Sequence, residues 1–83
     1  INLELQAVIY PNPVIEQANL ILPQGVVADL YLFSGSGELF WSQKNVKEPV
    51  GVISVPMGQL SQGWYLLQID YGSHTETLKL LKE

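Results

Sequence analysis

Apolar residues recur at every second position through most of this chain, a period that suits strands and leaves no amphipathic helix. From residue 1 to residue 9 every odd position is apolar (Ile1, Leu3, Leu5, Ala7, Ile9). Asn2, Glu4 and Gln6 fall between them, and Val8 is the one exception. Tyr10-Pro11-Asn12-Pro13 then ends the run, because two prolines lock φ, remove two amide donors and turn the chain through a rigid corner. A second strand is predicted over 17–22, closed by Pro23-Gln24-Gly25. A third, over 27–33, has Ala28, Leu30 and Leu32 on one face and Asp29, Tyr31 and Phe33 on the other. Ser34-Gly35-Ser36-Gly37 reads as a turn, and 38–43 as the return strand, with Leu39 and Trp41 on one side and Phe40 on the other. Lys44, Asn45, Lys47 and Glu48 mark a solvated connection. A β-branched strand over 50–55 follows, closed by Pro56, and in the loop 57–63 Leu60 is expected to plug the end of the core.

The last two strands carry their own register. Residues 64–71 and 74–81 flank Gly72-Ser73, which suits a two-residue hairpin with glycine first. Tyr71 then faces His74, Leu67 faces Leu78 and Tyr65 faces Leu80 on one side of the ribbon. Gln68 with Thr77 and Asp70 with Thr75 occupy the other. A one-residue slip would mix the two sets. Trp64, Leu66 and Leu81 are misfits on the polar face, and Glu76 on the apolar one. Seven short strands with regular turn signals predict one all-β domain over 1–83, a small immunoglobulin-like antiparallel β-sandwich, with a barrel as the alternative.

Composition limits the chemistry. At 83 residues and 47% hydrophobic content the chain folds as one small domain with no roomy cavity. It has no cysteine, so disulfides and thiolate zinc sites are excluded. Four lysines, no arginine and a net charge of −4 speak against nucleic acid, whose phosphates are bound by many cations. No apolar run approaches the ~20 residues of a membrane helix, and the first residues show neither a basic n-region nor an apolar h-region, so a signal peptide is not expected within them. Beginning at Ile1, without methionine and in mid-pattern, the chain reads as a domain from the end of a longer polypeptide. His74, the one imidazole, sits at a hairpin tip, and Asp29 and Asp70 are not singled out as an acid/base pair, so no enzyme, catalytic residue, metal or cofactor is expected. Trp41, Trp64, Tyr31 and Tyr65 could form a sugar platform in an adhesion or carbohydrate-binding module, although large aromatics more commonly fill cores and rims.

Four segments in order carry a resemblance. They are Val8-Ile9-Tyr10-Pro11-Asn12-Pro13-Val14, Leu30-Tyr31-Leu32-Phe33-Ser34-Gly35-Ser36-Gly37-Glu38-Leu39, Gln59-Leu60-Ser61-Gln62-Gly63-Trp64-Tyr65 and Thr77-Leu78-Lys79-Leu80-Leu81-Lys82-Glu83. Together they make the chain, from about Val8 onward, resemble the C-terminal sorting domain of the type IX secretion system of Bacteroidota. The resemblance implies a non-catalytic, immunoglobulin-like export address behind an upstream cargo domain. Its implied partners are the outer-membrane secretion translocon with its shuttle barrel and a sortase-like cysteine peptidase. In many carriers that peptidase removes the domain and joins the cargo to anionic lipopolysaccharide, while others keep it. The implied destination, reached through the periplasm, is the outer-membrane surface or the extracellular space. By similarity Pro11, Asn12 and Pro13 match the early motif, Gly37 the central one, Gly63 and Tyr65 the late Gly-x-Tyr, and Lys79, Leu80, Leu81 and Lys82 the terminal one. Ser34 stands where the family often has aspartate, Glu38 where it has a base, and Glu83 where lysine or arginine is commoner. The expected mechanism has Leu78 and Leu80 in the core, with Lys79 and Leu81 pointing outward beside an open edge to which a partner could add a strand.

Overall fold

The period of two resolves into seven strands in the computed structural model of the protein, which describes residues 7–23, 25–47 and 52–83. The strands are β1 (Val8–Tyr10), β2 (Gln17–Ile21), β3 (Val27–Ser34), β4 (Leu39–Lys47), β5 (Ile53–Pro56), β6 (Gly63–Asp70) and β7 (Thr75–Lys82). They form two antiparallel sheets, ordered β1-β2-β5 and β4-β3-β6-β7, which is a sandwich and not a closed barrel. Residues 1–6 of the first predicted strand, Gln24 of the turn after the second, Glu48 of the predicted connection, and residues 49–51, which include the start of the strand predicted over 50–55, lie outside the described residues. Ala7 and Ile9 turn inward while Val8 and Tyr10 are exposed, so the odd-in alternation continues where it can be seen.

Alternation also sets the core. Ala18 and Leu20 of β2 and Ile53 and Val55 of β5 face Ala28, Leu30 and Leu32 of β3, Leu67 and Ile69 of β6, and Leu80 of β7, all buried. Each fully buried leucine contributes about 1.5–3 kcal/mol relative to an exposed one. The terminal hairpin has the predicted register throughout: Tyr65 pairs with Leu80, Leu67 with Leu78, Gln68 with Thr77 and Asp70 with Thr75. The Tyr71 amide closes the turn on the His74 carbonyl at 2.9 Å, with Gly72 at φ 93°.

Three expectations fail locally. First, β4 continues through the segment read as a solvated connection and ends at Lys47. It is an edge strand exposed along most of its length, so its polar residues carry no period of two. A bulge places Asn45 at φ 56°, with its amide donating to Asp29 Oδ1 at 2.9 Å. Second, Trp41 pairs with Leu32 and Leu39 pairs with Phe33, so Phe40 is the extra residue of a second bulge. Leu39 and Trp41 therefore stand on opposite faces, and the Phe40 ring meets Tyr65 edge-on at 6.0 Å. Third, Met57 is the fully buried residue of its loop while Leu60 lies half-buried at the rim. The unbranched thioether chain suits an irregular gap between sheet ends.

Glu76, the misfit on the apolar face, is held at the other end of the sandwich. Its Oε1 accepts from the Tyr71 hydroxyl at 2.7 Å and from the Ala7 amide at 3.2 Å. Burial, followed by the hydrogen bond to Glu76 and that residue's negative charge, pushes the Tyr71 phenol well above its ordinary range. In the unfolded chain the phenol loses its proton near pH ~10, while in the folded chain it keeps it, so stability falls as pH rises beyond that value. Urea midpoints from about pH 9 to about pH 11 should drop more for the native chain than for Tyr71→Phe; equal drops would contradict the linkage.

Candidate functional site

The outer edge of β7 is not open where the terminal motif lies. The Asn12 side-chain amide donates to the Lys79 carbonyl at 3.2 Å, and its Oδ1 accepts from the Leu81 amide at 3.0 Å. Val14 continues the pairing: its amide donates to the Leu81 carbonyl at 2.7 Å and its carbonyl accepts from the Glu83 amide at 2.9 Å, a short parallel bridge. Pro11 and Pro13, which carry no amide hydrogen, flank the asparagine. The early motif thus lies against the terminal one, with Asn12 and Val14 standing in for a neighbouring strand. Asn12→Ala is expected to cost about 1–2 kcal/mol and speed hydrogen exchange at the Leu81 amide, and Asn12→Asp to cost more by setting a carboxylate against a carbonyl. Unchanged Leu81 protection would refute that role.

On the inner side of β7 the late motif meets the same strand. Gly63 pairs with Lys82 and Tyr65 with Leu80. Gly63 has φ 144°, a conformation that residues with a Cβ rarely adopt. Tyr65 is buried, and its hydroxyl donates to the Ser61 carbonyl at 2.7 Å. Lys82 is also buried, at 7% exposure, with its ammonium donating to the carbonyls of Leu60 at 3.2 Å and Glu83 at 3.1 Å. Among the described residues Lys82 is the one buried charged side chain.

The central motif forms the adjoining turn. Gly37 at φ 98° lets its amide reach the Ser34 carbonyl at 3.0 Å, and the Ser34 amide reaches the Glu38 carbonyl at 2.8 Å. Ser34 Oγ accepts from the Glu38 amide at 3.0 Å, a bond to the turn backbone that an aspartate could also accept. An added Cβ on Gly35 would lie 3.3 Å from the Trp64 carbonyl oxygen, so this turn packs against the residue that pairs with Leu81. The segments holding Pro11, Asn12, Pro13, Gly37, Gly63, Tyr65, Lys79, Leu80, Leu81 and Lys82 therefore converge on one end of the sandwich.

The apolar misfits of the hairpin have a place there too. On the outer face of the four-stranded sheet, pairing puts Leu39, Phe33, Leu66 and Lys79 in one row across four strands, with Trp64 and Leu81 beside it. Leu39 and Trp64 are about half exposed. The Lys79 ammonium stands 4.4 Å from the centroid of the Trp64 ring, and that of Lys44 stands 5.7 Å from Tyr31. Both outward aromatic rings are thus attended by a cation, Trp41 packs on the core and Tyr65 is buried, so the four do not form a bare sugar platform. Trp64, Leu66, Leu39 and Phe33 belong to this surface beyond the motif residues. The misfit of Trp64, Leu66 and Leu81 on a polar face was the signal in the sequence.

Among the described residues the candidate acid and base groups do not assemble. Asp29 and Asp70 lie opposite one another, but each gives a carboxylate oxygen to a backbone amide, Asn45 and Gly72 respectively, both at 2.9 Å. His74 is exposed, stacks on Tyr71 at 4.7 Å and has Nδ1 3.0 Å from Ser73 Oγ. Among the described residues no three acidic or imidazole side chains are placed to hold a metal. Comparison with known families matches residues 8–83 to the secretion system C-terminal sorting domain. No curated protein matches the chain.

Proposed function

The chain belongs to the C-terminal sorting domains of the type IX secretion system, and from that premise we propose that it is a non-catalytic address whose folded end is read by the export machinery. The observation that carries this reading is the convergence of four sequence-distant motif segments on one end of the sandwich: the early motif is hydrogen-bonded to β7 through Asn12 and Val14, the late motif pairs with β7, and the central turn packs on Trp64 of β6. A linear tag would need no such assembly. In this reading an upstream cargo is carried through the periplasm to the outer membrane, where translocon and shuttle barrel receive it. The cargo then reaches the cell surface or medium, and a sortase-like peptidase removes the domain in carriers that do not retain it. Neither step draws on a catalytic group or cofactor of this domain.

Deleting residues 78–83 from a full-length carrier tests the reading. The deletion removes Leu80 from the core and the partners of Asn12 and Val14, so cargo is expected to remain in the periplasmic fraction. Cargo still reaching the surface at the native level would end this proposal.

A further inference from the structure

A partner could read the terminal motif through its backbone edge, its inward side chains or its outward ones. The inward side chains, Leu80 and Lys82, are buried. The edge is taken from the Lys79 carbonyl to the Glu83 amide by Asn12 and Val14, so strand addition there would first break four hydrogen bonds. The outward side chains remain: Lys79 and Leu81, continuous with Trp64, Leu66, Phe33 and Leu39.

Charge narrows the partner. In a chain of net charge −4, Lys79 stands at the motif end of this face, and the paired Asp29 and Asp70 lie further along β3 and β6. The motif end is therefore apolar with one cation set on it, Lys79, while the exposed Glu38 and Glu83 lie at its margin. The Lys79 ammonium is held over Trp64, where an incoming carboxylate could meet it without leaving the apolar surface. We infer that the Leu39–Phe33–Leu66–Trp64–Leu81 face is the docking surface of the sorting signal, and that its partner is a protein surface of the export machinery presenting apolar side chains around a carboxylate that pairs with Lys79. This inference rests on the sorting reading and adds to it the face that is read and the chemistry of the reader.

The test uses the full-length carrier in a type IX-competent cell, with resistance of the domain to limited proteolysis as the folding control. Lys79→Glu and Trp64→Ala are each expected to lower surface export about tenfold, the loss of one well-buried contact, with the domain still protease-resistant. Lys79→Arg should export normally. Thr77→Pro separates face from edge. The Thr77 amide points outward by period two from those of Leu81 and Glu83, so proline there removes an edge donor while leaving the face intact. Thr77→Pro should export normally, as should Val8→Ser on the exposed Val8–Ile21 pair of the other sheet. Normal export of Lys79→Glu and Trp64→Ala would overturn the inference, as would equal losses in Thr77→Pro or Val8→Ser. If the variants misfold, Lys79→Glu is judged against Lys79→Arg, and equal export of that pair overturns it as well. Native-level export after deletion of residues 78–83 would instead remove the sorting reading itself.

Discussion

Leu80→Ala is expected to lower the unfolding free energy of this domain by about 2–5 kcal/mol. Leu80 is fully buried, pairs with Tyr65 and sits in the last strand of the four-stranded sheet. The lost methyl groups forfeit their transfer energy, and the surrounding sheet can collapse only in part onto the cavity. Small domains hold only about 5–15 kcal/mol in total, so the change should shift the urea midpoint strongly and leave a measurable fraction unfolded. Leu80→Met, which nearly conserves volume, should cost less than about 1.5 kcal/mol. The neighbouring outward residue behaves differently: Lys79→Glu touches no core contact and should leave the midpoint within about 0.5 kcal/mol of native while reducing export. Substitutions at the motif end of β7 should therefore alternate, with Leu80 and Lys82 changing stability and Lys79 and Leu81 changing export alone. A Leu80→Ala midpoint equal to native would refute the packing assignment, and export losses that track stability at Lys79 would refute the alternation.

What the sequence disclosed and what it hid divide along one physical line. The hairpin register was legible because Gly72-Ser73 pins the turn and two faces of opposite polarity check it, all within one continuous stretch of chain. The two faces of β3 were legible from its own alternation. The β4 bulges were not, because an edge strand exposed along most of its length has no polarity contrast to reveal an inserted residue. Glu76 looked like an error of pattern because its partners, Tyr71 and the Ala7 amide, include one 69 positions away. The site hid behind the same distance. Asn12 read as part of a rigid corner, and nothing local says that its amide reaches Lys79 and Leu81 across 67 and 69 positions. That contact changes the expected mechanism, since the edge thought open to strand addition is closed by the motif at the other end of the chain.

Lys82→Glu should be the most damaging single charge change in the domain. On the folded surface a lysine in a terminal motif would be the first residue assigned to electrostatic recognition. Here the side chain is buried and its ammonium donates to the carbonyls of Leu60 and Glu83, tying the loop before Gly63 to the end of β7. A glutamate would carry a negative charge into a site lined by two carbonyl oxygens, unpaired and desolvated, a situation that costs about 3–5 kcal/mol. Lys82→Met keeps the stem and removes both the charge and its desolvation. It leaves the two part-buried carbonyls without this donor, so a loss of about 1–2 kcal/mol is expected. If the terminal base instead served a partner directly, Lys82→Met and Lys82→Glu would abolish export alike with little change in stability. Urea midpoints and surface export measured on the same pair decide between the two: the structural role requires export to follow the midpoint, with methionine near native and glutamate unfolded.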